Sequence, residues 1–276
     1  MASYKARILI LCKTYPSPSG KHVETSCVAG LAEDGCLIRL FPVPFRLING
    51  EKRFHKWQWI TARIEKAPAD HRPESHKIFV DTIDCETPPL SSKNGWSKRR
   101  EALAGICIHD DFESVERDRV ENKKTLALLR PSKISSLEVK PTGSPDWTDE
   151  EKKKLEQNER QMGLFDASDA KSLAKLRKLP FSFHYNYECM VDGKTKAFRH
   201  KIADWEAGAL YWNCRKSHGE NWEAPFRQKL MSELSTKDLI FLMGTVHRFP
   251  DQWLIVSLIY PPKLEQVTNP QQSFLL

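Results

Sequence analysis

At 276 residues, 40% hydrophobic and 29% charged, the chain can build one large core or two smaller ones and is too apolar for wholesale disorder. No run is long enough to cross a bilayer. Ile8-Leu9-Ile10-Leu11-Cys12 is too short for the apolar region of a signal peptide, so a cytoplasmic, non-membrane protein is expected. Seven cysteines with no C-x-x-C pair argue against a secreted disulfide framework and for reduced thiols.

Ala6–Lys13 reads as a buried strand, and the prolines and glycine of 15–20 force a loop. Glu24–Leu31 reads as one or two helical turns leading to the turn Glu33-Asp34-Gly35. Cys36–Val43, Trp57–Glu65 and Lys77–Ile83 read as further strands. Helices are expected over Lys98–Ala104, after Ser97 as cap, and over Phe112–Leu129, which Pro131 ends. Ile134–Val139 is a short strand. Residues 141–180 read as a connector containing a charged helix, Thr148–Gln161.

Aromatic alternation returns at Phe181–Tyr187, pairing with Lys194–Ile202 across the favoured turn Asp192-Gly193. Helices follow over Glu206–Cys214 and Pro225–Leu234. A hairpin of Leu239–Phe249 and Trp253–Tyr260, joined at 250–252, closes the fold. The expected class is α+β: a β-rich, barrel-like N-terminal half, a helical middle, and a second half of β-hairpins and helices. The division is 1–140, a connector 141–180, a smaller domain 181–265 and a loose tail 266–276.

The net charge of +7 is unevenly placed. Residues 1–78 hold 13 Lys and Arg against 7 Asp and Glu, leaving +6; the remaining 30 and 29 leave +1 over residues 79–276. A basic end on a neutral remainder fits contact with a polyanion. Lys13, Tyr15, Lys21, Arg39, Arg46, Arg72 and Glu74 are the candidate nucleic-acid-binding residues. Cations grip phosphates, Tyr15 and Trp57 stack on bases, and Asp70 or Glu74 accepts from a base edge or orients an Arg.

Phosphate-cradling and hydrolase signatures are absent, and no cofactor or metal is expected. Two weaker sets compete with their structural readings: Glu138-Val139-Lys140 with Asp110, Asp111 or Asp118 as a nuclease-like set, and Cys189, His200, Cys214 and His218 as zinc ligands. An enzymatic alternative would use Asp70, Glu74, His76, Asp204 or Glu206 as acid–base groups. Gln161-Met162-Gly163-Leu164-Phe165 resembles the pentapeptide by which bacterial repair proteins dock on the sliding clamp, with Gln161, Leu164 and Phe165 as anchors; an adaptor role follows as a third alternative.

Longer segments also carry a resemblance: Lys13 to Ser19, Glu24-Thr25, Asp34-Gly35, Ile38 to Leu40, Pro42 to Arg46, Arg72 to Ser75, Asp204-Trp205-Glu206 and Ile259 to Lys263. Together they resemble an uncharacterised bacterial protein family without an established activity, which implies a bacterial cytoplasmic origin and two halves. The expectation is a nucleic-acid-binding protein, DNA favoured over RNA, acting in repair, modification sensing or defence.

Overall fold

The structure, a computed structural model, describes residues 2–19, 23–48, 50–153, 155 and 176–264. Its first third is a closed ring of strands: β1 (Tyr4–Lys13), β3 (Val23–Ala32), β4 (Leu37–Val43), β5 (Trp59–Lys66) and β6 (Ser75–Ile78), with short β2 (Ser17–Ser19) and β7 (Asp84–Cys85) as appendages. β1 pairs antiparallel with both β3 and β5. β3 pairs antiparallel with β4, β4 runs parallel to β6, and β6 returns antiparallel to β5. Numbering the five ring strands in chain order, the ring runs first-second-third-fifth-fourth and back to first.

After helix α1 (Lys93–Leu103) a second sheet begins. It comprises β8 (Ile108–His109), β9 (Leu126–Leu129), β10 (Lys133–Pro141), β11 (Phe181–Val191), β12 (Lys194–Ile202), β13 (Ile240–Val246) and β14 (Phe249–Ile259), with α2 (Phe112–Asn122) between β8 and β9. Helix α3 (Trp205–His218) and the helical segment 223–233 lie between β12 and β13. β10 pairs with β11, β11 with β12, β12 runs parallel to β14, β14 pairs with β13 and β13 with β9. Only Arg130-Pro131-Ser132 separates β9 from β10, so these two are the halves of one bent strand. Counted so, the second sheet closes through the chain in the same first-second-third-fifth-fourth order, with the same parallel third–fifth pair. The protein is thus an α+β fold with a five-stranded N-terminal barrel and a second β-sheet that repeats its topology.

Continuous apolar runs mark strands buried on both faces. In β1, Ile8 and Ile10 enter the first barrel core while Leu9 and Leu11 face the second sheet. In β13, Phe241 and Met243 enter the second core while Ile240 and Leu242 face the first barrel. β9 does the same with Ala127 and Leu129 against Leu126 and Leu128. A seam of buried side chains from both sheets therefore lies between them. In β11, by contrast, Phe183, Tyr185, Tyr187 and Cys189 point inward and alternate with less buried polar residues, the pattern of a strand with one wet face.

Several elements differ from their sequence readings. Residues 23–32 form a strand, not helical turns, because two flanking strands satisfy their backbone. The helix expected over Phe112–Leu129 stops at Asn122, where Lys123 turns left-handed (φ 58°), and Leu126–Leu129 enters the second sheet. That places 108–141 with the later strands, so sheet membership changes near residue 105 rather than at 140. The last hairpin turns at 247–248 rather than 250–252. Asp192-Gly193 does form the β11–β12 turn, with positive φ at both residues (49° and 75°). All seven cysteines are free. Among the described residues, no helix is long and apolar enough to cross a membrane.

Candidate functional site

An open cavity of about 980 Å³ lies between the barrel and the second sheet. Its floor is the outward face of β3 and β4, the second and third ring strands, through Thr25, Cys27, Arg39 and Phe41. The β1–β3 loop contributes Thr14, Tyr15, Ser17 and Ser19, and the β5–β6 loop contributes Ala67 to Asp70 and Arg72. The far wall is the β13–β14 turn, Thr245 to Arg248, with Leu254 and Val256 of β14. Most of the lining is apolar or hydroxyl-bearing. Phe41 stands out at 43% exposed, an aromatic ring presented to solvent on a strand whose neighbours Leu40 and Val43 are fully buried.

The cations at the floor are largely committed. Arg39 is only 2% exposed. Its Nη2 donates to the Thr125 carbonyl at 3.0 Å and Nη1 to Cys27 Sγ at 3.5 Å, while buried Nε finds no partner within the protein. Arg72 donates through Nε and Nη2 to the Asp70 carboxylate (2.9 and 2.6 Å) and through Nη1 to the Thr245 carbonyl (2.8 Å). Burial opposes ionisation of Asp70, but these Arg72 hydrogen bonds outweigh it and hold the carboxyl well below its ordinary range. Both arginines therefore bind backbone across the seam and tie the two sheets together.

Glu74 is a third tie. Its carboxylate accepts from Thr125 N (2.5 Å), Thr125 Oγ1 (2.7 Å) and Leu126 N (3.3 Å). A fourth lies at the other end of the seam: Lys56 donates to Glu206 (2.9 Å) and to the Leu258 carbonyl (2.9 Å). Beside it, Asp204 caps α3 by accepting from Glu206 N and also accepts from Leu258 N. Asp204 is thus buried and hydrogen-bonded to backbone, while the Glu206 side chain, 51% exposed, pairs with Lys56.

Of the other expected binding residues, Lys13 lies 3.7 Å over the Phe45 ring and 5.5 Å from Trp205; burial lowers its pKa to about 8. Arg46 pairs with Glu24 at 3.2 Å. Neither these two nor Glu74 lines the cavity, whereas Tyr15, Arg39 and Arg72 do. The Tyr15 hydroxyl donates to the Arg177 carbonyl and accepts from Trp212 Nε1, both at 2.9 Å. Trp57 is buried against Trp96. Lys21 lies outside the described residues, as do Gln161, Leu164 and Phe165. His76 is held by Tyr4 and the Glu74 carbonyl.

The two weaker motif sets do not assemble. Glu138 sits on β10 between Lys140 (2.8 Å) and Arg199 (2.7 Å), while Asp111 caps α2 and Asp118 pairs with Lys124. Cys189 is buried in the second core and His200 bonds the Tyr187 hydroxyl. Among the described residues, the only group of three or more side chains placed to share a metal ion is Asp70, His71 and His247.

Sequence reasoning missed Phe41, Lys77, His247 and Arg248, all of which line the cavity. Phe41 carried a local signal, an aromatic ring one position out of phase with buried Leu40. His247 and Arg248 carried none, because their neighbours come from residues about 180 positions earlier.

Residues 109–275, more than half of the chain, match the family described as Domain of unknown function (DUF8757), and the chain belongs to that family. Residues 4–105 match a second, Domain of unknown function (DUF8758). No curated protein matches. Among solved structures, the chain is similar to one reported as "Structure and Conformational Change of a Replication Protein A Heterotrimer Bound to ssDNA", at 10% identity and a TM-score of 0.35. That match covers 96% of this chain and about half of the other (49%).

Proposed function

We propose that the protein binds single-stranded nucleic acid, with DNA the preferred strand, along the cavity between its two sheets. The carrying observation is the cavity's place on the barrel. It lies over the outward face of the second and third strands, between the first–second and fourth–fifth loops, where five-stranded Greek-key barrels of the oligonucleotide-binding type take their ligands. Its contents suit that role. Exposed Phe41 offers a stacking platform, and Lys77 and Arg248 supply charge at the rim. The acid–base groups of an enzymatic reading are spent on backbone and neighbouring side chains, which favours binding over catalysis. Repair, modification sensing and defence are the settings in which such a protein would act on DNA.

The test is fluorescence anisotropy with labelled 15-nucleotide DNA and RNA strands across a salt series. Phe41→Ala should weaken binding by about 1–3 kcal/mol, roughly 5- to 150-fold. Arg248→Ala should flatten the salt dependence by about 0.7 in the log–log slope. Absence of binding at low salt, or an unchanged affinity for Phe41→Ala, would remove the proposal.

A further inference from the structure

We propose that Asp70, His71 and His247 form a binding site for a divalent transition metal of the zinc class, clasping the two sheets at the mouth of the cavity. Asp70 and His71 come from the β5–β6 loop of the barrel, and His247 from the β13–β14 turn of the second sheet. One ligand atom from each lies within 4.8 Å of the others. Asp70 Oδ1 and His247 Nδ1 are 3.2 Å apart. Two ligands at zinc distances of roughly 2.0–2.1 Å, set at the tetrahedral angle, stand about 3.3 Å apart, so this pair needs almost no movement to share an ion. The His71 and His247 rings are near-parallel (27°) with centroids 5.1 Å apart, close enough for both to turn a nitrogen toward one point.

The supporting groups also suit a metal. Arg72 grips both Asp70 oxygens and anchors itself on the Thr245 carbonyl, two residues before His247. That fixes the carboxylate's orientation and keeps it ionised, the job of an outer-shell partner. Two imidazole nitrogens with one carboxylate oxygen favour zinc, cobalt or nickel over magnesium and calcium, which take oxygen ligands almost exclusively. Three protein ligands leave a fourth position for water or for an anionic oxygen of whatever enters the cavity, since Asp70 and His247 both line it. The clasp does not depend on the nature of that ligand.

The competing account is a plain His247–Asp70 ion pair with His71 stacked beside it. Calorimetric titration of the full chain with Zn²⁺ at pH 7.5, and absorption titration with Co²⁺, separate the two. The proposal expects saturable binding of one ion per chain and Co²⁺ bands of nitrogen–oxygen ligation. It also expects a rise in Tm with Zn²⁺, because the ion would bridge both sheets. His71→Gln with His247→Gln should weaken binding at least tenfold and abolish the Tm rise. Both residues are exposed, so the variant should keep its native far-UV spectrum. No saturable binding, undiminished affinity in the double variant, or thiolate charge-transfer bands placing the metal on cysteine would overturn the site.

Discussion

Glu74→Ala tests whether the seam between the sheets is held by buried hydrogen bonds. The half-buried carboxylate serves three donors on the far side of the seam: two backbone N–H groups and the hydroxyl of Thr125, itself 5% exposed. Alanine leaves the N–H groups of Thr125 and Leu126 with no acceptor in a place water reaches poorly. Each such group costs about 1–3 kcal/mol, so a loss of about 3–5 kcal/mol is expected. Urea unfolding followed by tryptophan fluorescence would show the midpoint fall by about 1–1.7 M for a slope of roughly 3 kcal/mol/M. Glu65→Ala is the control: its single pairing with Lys77 (3.2 Å) is half-exposed and should be worth about 1 kcal/mol or less. A Glu74→Ala loss no larger than that of the control would refute the seam as an energetic tie.

Lys13, with a pKa lowered to about 8 by burial, should lose its proton in the folded chain while the unfolded chain still holds one. Stability should therefore rise between about pH 8 and 10.5, and Lys13→Met should remove that rise in denaturation curves run across the range. His200 is pushed down to about 4 by burial, so below the unfolded value of 6.5 the unfolded state binds the extra proton and stability falls. His200→Gln should flatten the fall between pH 6.5 and 4; an unchanged pH profile would contradict the buried neutral imidazole. At Gly208 an added Cβ would lie 2.4 Å from the Tyr15 ring, so Gly208→Ala should cost about 1–3 kcal/mol and alter the near-UV tyrosine and tryptophan signal. A wild-type Tm and spectrum would show that Tyr15 moves freely.

Much of the architecture is legible in the linear pattern. The alternation at Phe181–Tyr187 declares a strand with one wet face, Asp192-Gly193 declares its turn, and Ala6–Lys13 declares a strand buried on both sides. The α+β class with a barrel-like first half follows from these local signals. Residues 23–32 and 123–129 were less legible because a short apolar run does not say whether its hydrogen bonds close within a helix or across a sheet. That was settled by partners far along the chain: β1 and β4 for the first, β13 for the second.

The site divides in the same way. Composition and order alone set the supply of cations in residues 1–78, the presence of Tyr15, Arg39 and Arg72 among those residues, and the aromatic and proline content of the β1–β3 loop. Charge counting gives no indication of where a guanidinium is spent. Tertiary structure directed Arg39, Arg72 and Glu74 at the backbone of Thr125, Thr245 and Leu126, because bringing two sheets together buries backbone groups that must find partners. It likewise brought His247 beside Asp70 and His71, a neighbourhood created by strand order and without trace in a sequence where the two stretches lie about 180 residues apart.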